Sequence, residues 1–199
     1  MPSDLSLMLI GCGLHAKNMY LPLIKELDGV SIIVVVDVES KREKVKFLLD
    51  SYGAAHIHTI FIPQPIDSKE FVLTDALKHK LDSAVKDYSI DGVIISSEPL
   101  SHKAYIEWAL SSNLHVLIDK PIVVHTDAST SPEKARRILE DYDTLADLYK
   151  TQLASNPSLI ASCLAQRRYH PAMNFIKSNI LEVFQKTQCP VTSMTFYHA

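Results

Sequence analysis

The stretch Met8–Ala16, MLIGCGLHA, constrains this chain more than any other. A short apolar run from Leu7 to Ile10 breaks at Gly11-Cys12-Gly13-Leu14-His15-Ala16, and a helical pattern follows. A strand, a glycine-rich turn and a helix opening form the fingerprint of a dinucleotide phosphate site. Gly11 permits the tight turn, Gly13 lets the backbone approach a pyrophosphate, and Ala16 is small enough for close helix–strand packing. The loop Gly11, Cys12, Gly13, Leu14 and His15 then presents its N–H groups to the anion at a helix N-terminus, where the dipole favours negative charge. On spacing alone, a strand-to-helix turn with no ligand reads equally well.

The remaining chain alternates strand and helix patterns. Strand one covers residues 5–10. A helix over 14–27 carries Leu14, Leu21, Ile24 and Leu27 and ends at Asp28-Gly29. Val30 to Val36 is nearly continuously apolar and β-branched, which suits a central parallel strand covered on both faces. Ser40 is expected to cap a charged helix to Tyr52, and Ile57–Ile62 reads as a strand. Residues 63–72 read as a loop, and Thr74 caps a helix to about Tyr88. Strands follow at 92–97, 115–119 and 159–166. Helices fill 100–112 and 132–153, the second with Pro132 at its first position. This alternation predicts a Rossmann-type doubly wound parallel sheet, with ligands along the edge where the strands end. The strand exits then carry Gly11, Asp37, Ser97, Lys120 and Gln166-Arg167. Past Tyr169 the sequence offers one amphipathic helix and a strand-like segment from Val191, too little to bury a core of its own. The expected organisation is therefore a dinucleotide-binding domain over 1–168 and the start of a truncated α+β substrate domain over 169–199.

Of the 199 residues, 47% are hydrophobic and 22% charged, the balance of an ordinary globular chain. A net charge of −3 advertises no nucleic-acid surface. The longest strongly apolar run, Ile32–Val36, is far too short to span a membrane. No secretory signal is evident, and Cys12, Cys163 and Cys189 make neither a CxxC pair nor a disulfide framework. These features point to a cytoplasmic protein. His56 and His58 alternate along a strand pattern without a third ligand nearby, so no metal site is expected. Asp37 ends strand two about 20 residues beyond the glycines, where an acid hydrogen-bonds the adenosine ribose and favours NAD over NADP. A helix-capping aspartate is the structural alternative. Lys41 and Arg42 just downstream keep NADP open by offering charge to a 2′-phosphate, although both also fit a solvated helix face.

The segment Ile94–Ile122, IISSEPLSHKAYIEWALSSNLHVLIDKPI, is more specific. It resembles the glucose–fructose oxidoreductase / inositol dehydrogenase / MocA family of NAD(P)-dependent oxidoreductases. That family shows a hydroxyl-Pro-x-x-x-His segment, a helix, and a Gly-Lys-His-Val strand ending in Glu-Lys-Pro. Here Ser97 and His102 stand at the hydroxyl and histidine positions, His115-Val116 at the His-Val, and Asp119-Lys120-Pro121 at Glu-Lys-Pro. GCGLHA, Leu21-Pro22, Asp37 and Gln166-Arg167-Arg168-Tyr169-His170-Pro171 also match. Glu98 takes the usual proline position, Asp119 replaces a glutamate, and Asn113 stands where glycine is frequent.

The resemblance implies that Lys120 lies beside the nicotinamide and relays a proton to the substrate hydroxyl. A lysine at the bottom of a cleft beside a cationic ring should have a lowered pKa, and its ammonium would stabilise an alkoxide. Ser97, Glu98, His102 and Asp119 would line the nicotinamide-side loop, with Arg167 bordering the site. A cis peptide bond before Pro121 is also implied. The expected function is hydride transfer between NAD(P) and a hydroxyl-bearing carbon of a sugar, cyclitol or similar polyol. The family's Asp-x-x-x-His pair is missing, so the 199-residue chain is expected to bind cofactor and turn over weakly or not at all. The alternatives are a non-catalytic dinucleotide-binding sensor of the same family and an inactive remnant. The edge left by a missing domain leaves a homo-oligomer open.

Overall fold

The computed structural model describes residues 4–63, 71–165, 170–190 and 192. The chain divides into two units, Met1–Leu164 and Ala165–Ala199. The first is built on six parallel strands: β1 (Leu5–Ile10), β2 (Val30–Val38), β3 (His58–Ile62), β4 (Gly92–Ile95), β5 (His115–Ile118) and β6 (Ala161–Cys163). Their order, β3-β2-β1-β4-β5-β6, is that of a doubly wound Rossmann sheet, and it reverses direction between β1 and β4. Between the strands lie α1 (Leu21–Glu26), α2 (Arg42–Ser51), α3 (Asp75–Asp87), α4 (His102–Ser111) and α5 (Pro132–Ser155).

The continuous apolar runs follow from burial on both faces. Met8, Ile10, Val34, Val36, Val93 and Ile95 join the core beneath α3, α4 and α5, while Leu9, Val35 and Ile94 point the other way, against Leu21, Val45 and Leu49. Successive strand side chains point to opposite faces, so a strand covered twice has no polar half.

Local chemistry sets the helix ends and also moves some of them. The Thr74 hydroxyl accepts from the Leu77 N–H at the start of α3, and the Ser131 hydroxyl accepts from the Lys134 N–H ahead of Pro132. The expected helix over 14–27 is interrupted by a π-type turn over Ala16–Tyr20, closed by the Leu21 N–H donating to the Ala16 carbonyl. Pro22 explains the widening. It has no N–H, and its ring crowds the carbonyl one turn back. Ser40 does not cap α2. A 3₁₀ turn over Glu39–Lys41 precedes the helix, no side chain caps either start, and the Arg42 guanidinium grips the Glu39 carboxylate instead. β6 is shorter than its sequence pattern, because only Val116, Leu117 and Ile118 of β5 pair with it. His56 precedes β3 rather than alternating within it, and His58 stacks on Tyr88 at 4.2 Å.

The second unit contains α6 (Pro171–Thr187), which begins at His170, whose ring accepts from the Ala172 N–H. Phe175, Leu181, Val183 and Phe184 are exposed on it. The strand expected from Val191 falls outside the described residues, as do Gln166, Arg167, Arg168 and Tyr169. Among the described residues, no helix is long and apolar enough to cross a membrane.

Candidate functional site

Strand register brings the candidate residues to one rim. Ile10 pairs with Val36 and Ile95, and Ile95 pairs with Ile118. The next residue on each strand is therefore level across the sheet: Asp37, Gly11, Ser96 and Asp119. In a parallel sheet all these exits share one edge, so the glycine turn and Lys120 lie on the same side. A crevice opens where the strand order reverses.

Gly11 makes that turn possible. Its φ is +91°, and a Cβ there would lie 2.5 Å from the Ser96 carbonyl oxygen and 2.6 Å from the Ser97 Cα. Only glycine fits, because the backbone of Ser96 and Ser97, just past β4, passes directly over it. Gly13 is different, since a Cβ there would meet nothing within 4 Å. It borders a cavity of about 710 Å³, also lined by Gly11, Leu14, His15, Asp37, Ser97 and Glu98. Leu14 is 74% exposed at this edge. The helix beginning at Leu14 presents its first N–H groups here.

Asp37 is buried at the floor. One of its oxygens accepts from the Cys12 N–H at 2.9 Å, and the other from the Val38 N–H at 2.7 Å. A carboxylate offers about four lone-pair positions, so capacity remains for hydroxyl donors from the cavity. Lys41 Nζ stands 3.6 Å from Asp37 Oδ1 and lines the same cavity. Cys12 does not line it. Burial, with Asp37 adding to it, pushes the Cys12 thiol up to about 11 against the pull of Lys41.

Asp119 ties three elements together. It accepts from the Tyr20 hydroxyl and from the Ser96 hydroxyl (2.6 Å), and its N–H donates to the Ile95 carbonyl at 2.9 Å. His15 Nε2 stands 3.4 Å from the same carboxylate. Burial, then the bond to Asp119, drives the Tyr20 phenol above its ordinary range. Lys120 follows directly, exposed at the rim rather than at the bottom of a cleft. Neither Lys120 nor Asp119 is among the residues that line the cavity. Its bond to Pro121 is cis, as the resemblance implied. Cys163 lies close enough to feel both residues: burial and Asp119 push its thiol up, and Lys120 opposes them.

His102 is fully buried and does not line the cavity. Its Nδ1 lies 2.7 Å from the Pro121 carbonyl oxygen and its Nε2 3.1 Å from the Ser97 carbonyl oxygen. The ring therefore joins the loop after β4 to the loop after β5, where sequence reasoning had placed it against the cofactor. Ser97 and Glu98 do line the cavity, and the Ser97 hydroxyl pairs with that of Ser101 at 2.7 Å. Tyr20, Ser96, Ser101 and Tyr105 escaped sequence reasoning. Burial, with Asp37 adding to it, raises the Tyr105 phenol as well. Arg167 lies outside the described residues.

A second cavity of about 490 Å³ is lined by Trp108, Lys103, His125 and Asp141 and contains none of the glycine loop. Asp141 there is bonded to both Lys103 and His125 at 2.7 Å. Among the described residues, no group of three or more His, Cys, Asp or Glu side chains could hold a metal ion.

A family described as "Oxidoreductase family, NAD-binding Rossmann fold" (GFO_IDH_MocA) matches residues 5–151. No curated protein matches the sequence. Similar solved structures include an oxidoreductase from Agrobacterium radiobacter in complex with NAD+, L-tartaric acid and magnesium (20% identity, TM-score 0.57, 92% of this chain and 41% of that one). Scyllo-inositol dehydrogenase from Lactobacillus casei with NAD(H) and scyllo-inositol is another (16%, TM-score 0.59, 92% and 42%). Myo-inositol 2-dehydrogenase from Lactobacillus plantarum is a third (17%, TM-score 0.62, 92% and 42%). At such identities the likeness is one of fold, and this chain spans about two fifths of the length of those proteins.

Proposed function

Because this chain belongs to the GFO/IDH/MocA oxidoreductase family, with its NAD-binding Rossmann fold over residues 5–151, we propose that the cavity at the exits of β1, β2 and β4 holds NAD(H) and that Lys120 serves the redox step. The observation that carries this reading is the contrast between the two glycines. Gly11 is packed solid against the exit of β4, while Gly13 faces open space at a helix N-terminus, which is what a pyrophosphate requires. The loop from Gly11 to His15 would take the pyrophosphate, and Asp37 would accept from ribose hydroxyls. Ser97 and Glu98 would border the nicotinamide. When bound, the cofactor supplies a hydride acceptor or donor.

Lys120 Nζ would hold the proton of a substrate hydroxyl, and its charge would stabilise the oxygen as that proton moves. Asp119, gripped by Tyr20 and Ser96, fixes the backbone from which Lys120 projects. His102 steadies Pro121 on the other side. The substrate class we propose is a sugar, cyclitol or similar polyol, a reading supported by the two inositol dehydrogenases of similar fold. It would be read by a substrate domain that residues 169–199 begin. The cysteines are unpaired, which supports a reducing compartment such as the cytoplasm.

The test is a fluorescence titration with NADH. We expect saturable binding below millimolar cofactor; a flat titration overturns the reading. In a form of the protein that includes a substrate domain, Lys120→Ala should slow polyol-dependent NAD+ reduction by about a hundredfold or more. An unchanged rate would remove Lys120 from the redox step, and NADH binding with no polyol-dependent rate in either form would favour a protein that binds the dinucleotide without catalysis.

A further inference from the structure

We infer that Lys41 is a specificity-determining residue: it lets the ribose end of the cavity accept a 2′-phosphate, so that the chain takes NADP(H) as well as NAD(H). The inference rests on the dinucleotide reading above and concerns only which dinucleotide is held. An acid at the end of the second strand ordinarily rejects NADP, because its carboxylate repels the extra phosphate. Here that acid does not stand alone. Both Asp37 oxygens already accept main-chain N–H groups, and the Lys41 ammonium sits 3.6 Å from one of them. Lys41 is half exposed, so its head is free to swing toward a ligand while its stem stays against the cavity.

The sequence presents Lys41 and Arg42 as equivalent candidates, and the structure separates them. The Arg42 guanidinium is bound at two points by Glu39, at 2.6 and 2.7 Å, and lies 4.2 Å over the Phe61 ring. It is committed to that pair, which in turn neutralises Glu39. Among the described residues, Lys41 is the lysine or arginine that lines the cavity. A phosphate at the ribose therefore meets a balanced pair, Asp37 with Lys41, rather than a bare carboxylate. Unlike charges within about 4 Å in a partly desolvated site interact strongly enough to decide between the two cofactors.

The experiment measures the dissociation constants of NADH and NADPH in parallel, for the wild-type chain and for Lys41→Ala and Lys41→Arg. The wild type is expected to bind the two within about tenfold of each other, and Lys41→Ala to raise the NADPH-to-NADH ratio by about tenfold or more. Lys41→Arg should keep the ratio near the wild-type value, because it restores the charge. A wild-type ratio above about tenfold, or a ratio that Lys41→Ala leaves in place, overturns the inference while the NADH binding site stands. Failure to bind NADH at all overturns the dinucleotide reading and this inference with it.

Discussion

Replacing each of the two loop glycines by alanine separates packing from binding. In Gly11→Ala the new methyl would meet the Ser96 carbonyl oxygen at 2.5 Å, the Ser96 carbonyl carbon at 2.6 Å and the Ser97 Cα at 2.6 Å. All three are backbone atoms of a central strand exit, so neither partner yields by a rotamer change. A φ of +91° adds backbone strain of about 1–2 kcal/mol for an L side chain. Overpacking of this kind costs about 1–3 kcal/mol more. The expected loss is about 2–5 kcal/mol, which lowers the midpoint of thermal unfolding by roughly 5–20 °C for a unit of this size. Gly13→Ala meets no neighbour within 4 Å, and its cost is that of a poorer N-cap, at most about 1 kcal/mol. Its methyl instead enters the space assigned to the pyrophosphate, so NADH affinity should fall about tenfold or more while the fold persists. Thermal unfolding followed by circular dichroism, together with NADH fluorescence titration, reads both effects. The reasoning is refuted if Gly11→Ala is as stable as wild type, or if Gly13→Ala binds NADH unchanged.

Three further perturbations follow from the same geometry. Tyr20→Phe removes the donor that holds Asp119 and should cost about 1.5–3 kcal/mol, measured by urea unfolding; full retention of stability would show that the bond carries nothing. His102→Ala leaves the Pro121 and Ser97 carbonyls without their ring partner, so amide exchange should quicken in both loops, and unchanged protection would contradict a bracing role. The Cys12 thiol has a pKa raised from 9.0 to about 11, so between those values the native state holds a proton that the unfolded state has lost. Stability that Cys12 contributes is thus complete below pH 9 and lost as pH rises toward 11. That loss is about 2–3 kcal/mol, and Cys12→Ala should abolish this part of the decline. The exposed Cys189 should react with a thiol reagent at pH 8 long before Cys12 does.

What the sequence made legible was local. The apolar runs at Leu7–Ile10 and Val30–Val36 were readable as doubly covered strands because every residue in them except Ser31 is apolar, and such a pattern needs no knowledge of partners. The position of Asp37 at the cavity was readable from its distance to the glycines. Lys120 became a candidate only through resemblance, since a lysine after a strand carries no local mark of chemistry. Tyr20 and Ser96 could not be found this way: their shared partner, Asp119, lies 99 and 23 residues away, and only the folded sheet brings them together. His102 was expected to line the nicotinamide-side loop, and the fold buries it between the Pro121 and Ser97 carbonyls instead. A histidine opening a helix just past a polar strand exit looks like a ligand-facing group, and only its complete burial reveals the brace. Ser40 failed as a cap because Glu39 and Arg42, three residues apart, form the stronger local pair.

The most direct measurement is a crystal structure of the chain grown with NAD+. We expect the pyrophosphate over Gly13 and the first N–H groups of the helix at Leu14, the adenosine ribose at Asp37, and the nicotinamide toward Ser97 and Lys120. A dinucleotide seated in the cavity beside Trp108 and Asp141, or one whose pyrophosphate avoids Gly13, would contradict this placement.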